Sequence, residues 1–129
     1  MERTATTLDV RTTRPAPGVV VVSAAGEIDL GTLTTWDTAL AAALLPPPEV
    51  LVADLAGVDF LGSSGIATLV LVQQETAERG VDFRVAGASR PVRRAFEATG
   101  VGVMLRLYET AELAGRPAAQ TSTGSDSTP

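Results

Sequence analysis

The sequence contains no histidine, no cysteine and no lysine, and these absences exclude several kinds of chemistry. Disulfides, thiolate nucleophiles and the common zinc sites all need cysteine or histidine. A serine hydrolase built on a histidine base is excluded for the same reason. Because all 10 basic residues are arginine, the chain has no lysine for a Schiff base or for a Walker phosphate-binding loop. A binding protein is therefore favoured over an enzyme, and no metal or cofactor is expected.

Long apolar runs and an excess of basic residues are also missing. Residues 1–10 contain no apolar core of a signal peptide, and no run in the chain approaches the roughly 20 residues that span a bilayer. The formal net charge of −5 disfavours nucleic acid and anionic membrane surfaces as partners. We therefore expect a cytoplasmic protein with no nucleic-acid partner and no membrane partner.

What is present predicts a single α/β domain. The alternation at 8–12 and the valine run at 19–25, separated by a Pro/Gly turn, predict an antiparallel hairpin. Helical patterns then alternate with three further predicted strands, at residues 50–55, 81–86 and 101–108. The order β-β-α-β-α-β-α-β-α, which ends in a short helix at 109–113, implies a mixed, mostly parallel sheet with helices packed against it. This domain takes residues 1–114, and residues 115–129, poor in apolar side chains, are predicted to form a disordered tail.

The most informative segment joins the predicted strand at 50–55 to a helix through Gly62-Ser63-Ser64-Gly65. A serine at a helix start caps the helix, helps to hold an anion, or accepts a phosphate. Taken alone, these four letters favour a simple helix cap. The spacing differs from the G-x-S-x-G nucleophile elbow, and a Walker loop would need Gly-Lys-Ser/Thr.

Three aspartates lie near predicted strand ends and turns: Asp29, Asp54 and Asp59. Carboxylates in such places bind magnesium or act as an acid/base pair. Hydrogen bonding to loop amides is the interpretation that we favour for them, since aspartate commonly accepts from nearby backbone N–H groups.

Two features of the predicted helices suggest protein contacts. An arginine cluster opens the third helix, and it suits either a phosphate, an acidic partner or plain solvation: Arg90, Arg93 and Arg94. On the second helix, a core face centred between Ile66 and Val70 would leave Leu71 exposed, with Val72 beside it and next to Thr68. Adjacent exposed apolar residues near a serine-bearing helix start suggest a docking surface.

Three segments together resemble the bacterial STAS domain, above all the stand-alone anti-sigma factor antagonists. They are G-E-I-D-L at 26–30, V-A-D-L-A-G-V-D-F-L-G-S-S-G-I-A-T-L at 52–69, and R-P-V-R-R-A-F-E-A-T-G-V at 90–101. Each segment alone is a weak match, but their order and spacing agree with the family over residues 8–114. The resemblance implies a single STAS-like fold and a non-enzymatic regulator of transcription that acts by partner switching, as in sporulation or stress responses.

In that family the serine that opens the second helix is phosphorylated by the anti-sigma factor, an ATP-dependent serine kinase. The unphosphorylated antagonist binds this kinase, which then releases its sigma factor. The resemblance implies Ser63 as the phospho-acceptor and a partner-binding set around it: Asp29, Gly62, Ser63, Ser64, Gly65, Thr68, Leu71 and Val72. It also allows a weak homodimer. Gly62 is a departure, because the family often has aspartate there, so this chain lacks one negative charge beside the acceptor.

Two other functions remain open at this point. One is a STAS scaffold or lipid-transport subunit that is never phosphorylated. The other is a module that binds a nucleotide or another small ligand at the Ser63 loop. Phosphorylation fits the physics of the loop, because a phosphate adds nearly two negative charges at a helix start, where the helix dipole tolerates them.

Overall fold

The structure of this chain is a computed structural model, and it describes residues 7–116. From residue 117 onward, the predicted tail lies outside the described residues. The elements are β1 Leu8–Ala16, β2 Val19–Ile28, α1 Leu33–Ala43, β3 Val50–Leu61, α2 Ser63–Arg79, β4 Asp82–Ala86, α3 Arg90–Thr99, a 3-10 helix Val101–Met104, β5 Leu107–Tyr108 and α4 Ala111–Ala114. Within this part of the chain, no helix is both long and apolar enough to cross a membrane.

The five strands form one sheet in the order β1-β2-β3-β4-β5. β1 pairs antiparallel with β2, and every later pair is parallel. The predicted α/β class, with a mostly parallel sheet and an initial antiparallel hairpin, is confirmed. Each parallel connection moves one strand further in the same direction, and such connections are right-handed, so α1, α2 and α3 lie on the same face of the sheet. Their buried side chains form the main core with that face.

The opposite face of the sheet is covered by α4. Val19 and Val21 point to this side and cluster with Ala114, so the valine run of β2 is buried on both faces. The fully buried Arg84 fixes α4 here, since its Nη1 donates to the carbonyl oxygens of Ala114 at 2.9 Å and Arg116 at 2.8 Å. These bonds join α4 and the residues that follow it to β4.

Three predicted strands, β1, β2 and β3, were too short. β1 runs through Pro15 to Ala16, because an edge strand tolerates a missing N–H and the register shifts between Thr13 and Ala16. β3 continues to Leu61 because β2 also lengthens to Ile28 and pairs with it there. The extensions of β2 and β3 carry the candidate site beyond the rest of the sheet.

The predicted final strand at 101–108 was wrong over most of its length. Gly100 ends α3 in the left-handed conformation, at φ 74°, and the chain turns on as a 3-10 helix over Val101–Met104. Only Leu107 and Tyr108 pair with β4. The terminal helix spans Ala111–Ala114, so it begins two residues later and ends one residue later than predicted. Thr110 caps it, and its side chain accepts a hydrogen bond from the Leu113 amide at 3.2 Å.

Candidate functional site

The ends of β2 and β3 bring two predicted site segments side by side. Ile28 pairs with Leu61 as the last residues of the two parallel strands. The Gly62 amide then donates to the Ile28 carbonyl oxygen at 2.9 Å. Asp29, which follows Ile28, therefore lies at the same end of the sheet as the start of α2.

Within residues 7–116, no side chain caps the start of α2. Gly62 occupies the N-cap position, with φ −78° and ψ 172°, and Ser63 is the first helical residue. The hypothesis that Ser63 or Ser64 caps the helix is therefore wrong. Ser63 is exposed, and its Oγ makes no hydrogen bond with any other residue in 7–116. Its hydroxyl is thus free of a structural task in the folded chain.

The potential around Ser63 favours negative charge. Residues 63–66 include no acidic side chain, and the first amides of a helix have no intrahelical acceptor. These N–H groups carry the positive end of the helix dipole. A phosphate placed on Ser63 would therefore meet a favourable local potential without any change in the fold.

Gly65 lets α2 approach the strand ends closely. It is buried, and a Cβ at this position would stand 2.6 Å from Leu61 Cδ1 and 2.8 Å from Ile28 Cγ2. Both distances are shorter than carbon atoms tolerate. The role visible for Gly65 is to position Ser63, because its own surface is covered by the strands.

Replacing Gly65 with valine is expected to lower the free energy of unfolding by about 1–3 kcal/mol, since the added carbons overpack the junction. Urea denaturation measures this loss. Ala67→Val is the matched control, because Ala67 is exposed on the same helix and the change there costs only the helix propensity of valine, about 0.5 kcal/mol. Equal losses in the two variants would contradict the packing role of Gly65.

Asp29 shapes the turn before α1. Its Oδ1 accepts from the amides of Gly31 at 2.9 Å and Thr32 at 3.2 Å. Thr32 Oγ1 accepts from the Asp29 amide at 3.1 Å and donates to the Glu27 carbonyl oxygen at 2.7 Å. Hydrogen bonding of Asp29 to loop amides is thereby confirmed. The half-buried carboxylate holds the segment that runs beside Gly62.

The other two aspartates lie elsewhere. Asp54 is in the middle of β3, where its carboxylate accepts from Ser23 Oγ at 3.0 Å and from the Ala56 amide at 3.1 Å. Asp59 is exposed on the extension of β3. Across residues 7–116, no three carboxylates converge as a metal-binding group. The fold therefore does not bring Asp29, Asp54 and Asp59 together as one group.

The predicted orientation of α2 was partly wrong. Leu71 is 63% exposed, as expected, but Val72 is only 8% exposed and belongs to the core. The buried face is centred on Leu69, because Thr76 also lies inside, where its hydroxyl donates to the Val72 carbonyl oxygen at 2.7 Å. A hydroxyl satisfied within its own helix is cheap to bury, so the helix turns Thr76 inward.

A groove of about 210 Å³ lies between α1 and α2. Half-buried Thr68 and exposed Leu71 lie on its α2 side. Val72 contributes to its lining although most of that side chain is covered. The full lining is Asp37, Leu40, Ala41, Leu44, Thr68, Leu71, Val72 and Glu75. The groove extends the surface around Ser63 along the first half of α2.

Two exposed apolar residues near Ser63 were missed in the sequence. Leu30 is 82% exposed in the turn after Asp29, and Phe60 is 51% exposed just before the helix. The Phe60 ring lies against Gly62, where a Cβ would meet Cε2 at 3.3 Å. Leu30 offered a signal, since a turn between Asp29 and Gly31 has little room to bury leucine. We name the Ser63 surface by its residues: Asp29, Leu30, Phe60, Gly62, Ser63, Ser64, Thr68 and Leu71.

Comparison with known proteins agrees with this fold. The family model described as the STAS domain matches residues 11–114, from β1 to the end of α4. The chain belongs to the STAS domain family. Among curated relatives, the anti-sigma-F factor antagonist RsfA of Mycobacterium tuberculosis is 38% identical over 97 residues, which cover 74% of this chain and 76% of RsfA.

Solved STAS structures show the same architecture. An anti-sigma factor antagonist from Mycobacterium paratuberculosis is 32% identical to this STAS chain and superposes with a TM-score of 0.76, covering 84% of this chain and 91% of the other. The Bacillus protein SpoIIAA in its phosphorylated form gives a TM-score of 0.64 over 82% of this chain and 96% of its own, at 18% identity. At that identity the likeness concerns the fold alone. The named relatives at higher identity are anti-sigma factor antagonists.

Proposed function

We propose that this STAS protein is an anti-sigma factor antagonist whose partner is an anti-sigma factor with serine-kinase activity. Binding through the Ser63 surface makes the partner release its sigma factor, and phosphorylation of Ser63 ends the binding. The observation that carries the proposal is an exposed Ser63 hydroxyl, without a hydrogen bond in the described chain, beside exposed apolar side chains. Support comes from relatives that are named antagonists.

The chemical step is a phosphoryl transfer from ATP to Ser63. A new bond forms between the serine Oγ and the γ-phosphorus while the bond from that phosphorus to the β,γ-bridging oxygen breaks. ADP leaves, and the hydroxyl proton passes to a base of the kinase. The antagonist supplies an accessible hydroxyl on a rigid helix start, and the kinase supplies the rest of the catalytic machinery.

The apolar side chains of the Ser63 surface explain why a phosphate on Ser63 would prevent partner binding. Leu30, Phe60 and Leu71 expose large apolar areas that gain from being covered by a partner. Covering them would also remove water from Ser63. A dianionic phosphate then has to be buried without a counter-charge, which costs several kcal/mol. In the free protein the same phosphate stays hydrated, so the domain keeps its stability.

Replacing Phe60 with alanine is expected to weaken binding to the anti-sigma factor at least about tenfold, since aromatic anchors dominate interface energies. The free energy of unfolding should change by less than about 0.5 kcal/mol, because the ring is half exposed. Calorimetric titration and urea denaturation measure the two quantities.

Leu45→Ala is the matched control for Phe60→Ala. Leu45 is 70% exposed, but it follows α1 and lies at the end of the sheet where β3 begins, opposite the Ser63 surface. Its removal should leave the affinity unchanged. If Leu45→Ala weakens binding as much as Phe60→Ala, the partner covers another part of the protein.

The proposal is tested by incubating the protein with the anti-sigma factor and ATP and then mapping the phosphate by mass spectrometry. We expect one phosphate, on Ser63, and none in a Ser63→Ala variant. Phosphate on Ser64, or on neither serine, would refute the assignment. If the protein binds the anti-sigma factor but gains no phosphate from it and ATP, a scaffold is favoured. A thermal shift with ATP alone would favour a nucleotide-binding module.

A further inference from the structure

A second apolar surface lies on the helix-covered side, next to the β5 edge of the sheet. A pocket of about 340 Å³ opens there between α3, the 3-10 helix and β5, with Phe96 at its base and Val103 and Leu107 on its walls. Val103 is 92% exposed and Leu107 45% exposed. We call this pocket and its rim the α3–β5 surface, lined by Arg93, Phe96, Glu97, Gly100, Gly102, Val103 and Leu107.

The rim of this surface carries clustered positive charge. Arg90, Arg93 and Arg94 are exposed on the first turns of α3, and their spacing of three and four residues places them on one side of the helix. None of the three forms an ion pair with another residue in 7–116. Cations at a helix N-terminus are also disfavoured by the dipole. Among residues 7–116, these arginines therefore have no ion-pair partner.

One acidic side chain, that of Glu97, also lines the pocket. Asp82 and Arg106 lie on the other face of the sheet, because Asp82 also accepts from Arg84, which attaches α4 there. The three exposed arginines of α3 therefore outnumber the one carboxylate at the pocket, although the chain as a whole has a formal net charge of −5. This contrast specifies the charge of what would be attracted.

We propose that the α3–β5 surface binds an acidic peptide segment of a partner protein. An apolar side chain of the segment would enter the pocket against Phe96 and Val103. Its carboxylates would pair with the guanidinium groups of Arg93 and Arg94, which suit bidentate contacts. Val103 and the pocket distinguish this occupant from nucleic acid, whose phosphates gain nothing from an apolar wall. The surface is separate from the Ser63 surface, so the proposal holds whether or not Ser63 is phosphorylated.

Fluorescence anisotropy with labelled synthetic peptides of about 12 residues tests the proposal. Three peptide libraries are compared. Their peptides are built from leucine and glutamate, from leucine and lysine, or from serine and glutamate. We expect binding by members of the leucine–glutamate library only. Among binders, affinity should fall at least about tenfold in Val103→Asp and in the double variant Arg93→Glu/Arg94→Glu. Higher salt should weaken binding as well.

Arg79→Glu is the matched control, because Arg79 is also an exposed helical arginine but pairs with Glu75 on α2. Its peptide affinity should stay within about twofold of the parent. All substituted side chains are exposed, and circular dichroism checks that each variant is folded. The proposal is overturned if no leucine–glutamate peptide binds, if the α3–β5 variants bind like the parent, or if an oligonucleotide or an anionic vesicle binds more tightly.

Discussion

Replacing Ser63 with aspartate is expected to reduce the affinity for the anti-sigma factor by at least about 100-fold, which corresponds to about 3 kcal/mol. The reason is the cost of covering a carboxylate within the Ser63 surface without a counter-charge. The free energy of unfolding should change by less than about 0.5 kcal/mol, since the side chain is exposed at the positive end of α2. Calorimetric titration and urea denaturation give the two numbers.

Ser63→Ala separates charge from the loss of the hydroxyl. Alanine should bind the partner with an affinity within about threefold of the parent, because Ser63 Oγ makes no hydrogen bond within residues 7–116. It should also accept no phosphate. Should the alanine variant lose binding as completely as aspartate, the hydroxyl itself is a contact and the charge argument fails. A stability loss of several kcal/mol in either variant would mark Ser63 as structural.

Replacing Arg84 with alanine is expected to destabilise the fold by about 3–5 kcal/mol, the largest stability effect predicted here. The guanidinium is fully buried and donates to the carbonyl oxygens of Ala114 and Arg116 and, at 2.7 Å, to Asp82 Oδ2. It also lies 5.4 Å from the centre of the Tyr108 ring. Without it, the buried carbonyl oxygen of Ala114 loses a hydrogen-bond donor, which costs more than the loss at the part-buried carbonyl oxygen of Arg116. Urea denaturation measures the loss.

Arg106→Ala is the control, because Arg106 contacts the same carboxylate, with 2.8 Å between Nη1 and Asp82 Oδ1, but is mostly exposed. Removing a surface partner typically costs about 0–1 kcal/mol. The two variants should therefore differ by several kcal/mol. Similar losses would mean that Arg84 stabilises the fold through its contact with Asp82 rather than by attaching α4. If both variants keep near-native stability, the attachment of α4 is dispensable.

The order of helices and strands could be predicted because local chemistry marks most boundaries. The helix before Arg79-Gly80 ends where a cation and a left-handed glycine close it, as their types require. Proline at 91 in the first turn of α3 and Gly100 after it gave that helix its bounds. These signals act within a few residues, so they are readable without knowing the rest of the fold.

Pairing between distant segments decided what local patterns could not. The apolar letters V-G-V-M-L after Gly100 suit a strand, but the turn at Gly100 sends them into a 3-10 helix and leaves Val103 exposed. A core face centred between Ile66 and Val70 predicts an exposed Val72, but Val72 is 8% exposed. The buried face of α2 is instead centred on Leu69 and includes Thr76. Thr76 can be buried because its hydroxyl donates to the Val72 carbonyl oxygen.

The candidate site was predicted in part. The neighbourhood of Asp29 and Ser63 follows from the resemblance, and the strand ends place their segments side by side. Phe60 was missed because its exposure depends on an irregular register between Gly26 and Glu27, opposite β3. The shift makes Val58 and Leu61 both face the core, three residues apart, and leaves Phe60 outside. No single-strand pattern contains that information.

The central claim is that one phosphate on Ser63 prevents partner binding without altering the domain. The most direct measurement is a calorimetric titration of the anti-sigma factor with the unphosphorylated protein and with the same protein carrying phosphoserine at 63. We predict tight binding of the first, an affinity at least about 100-fold lower for the second, and unfolding free energies within about 0.5 kcal/mol of each other. Equal affinities of the two forms would contradict the account.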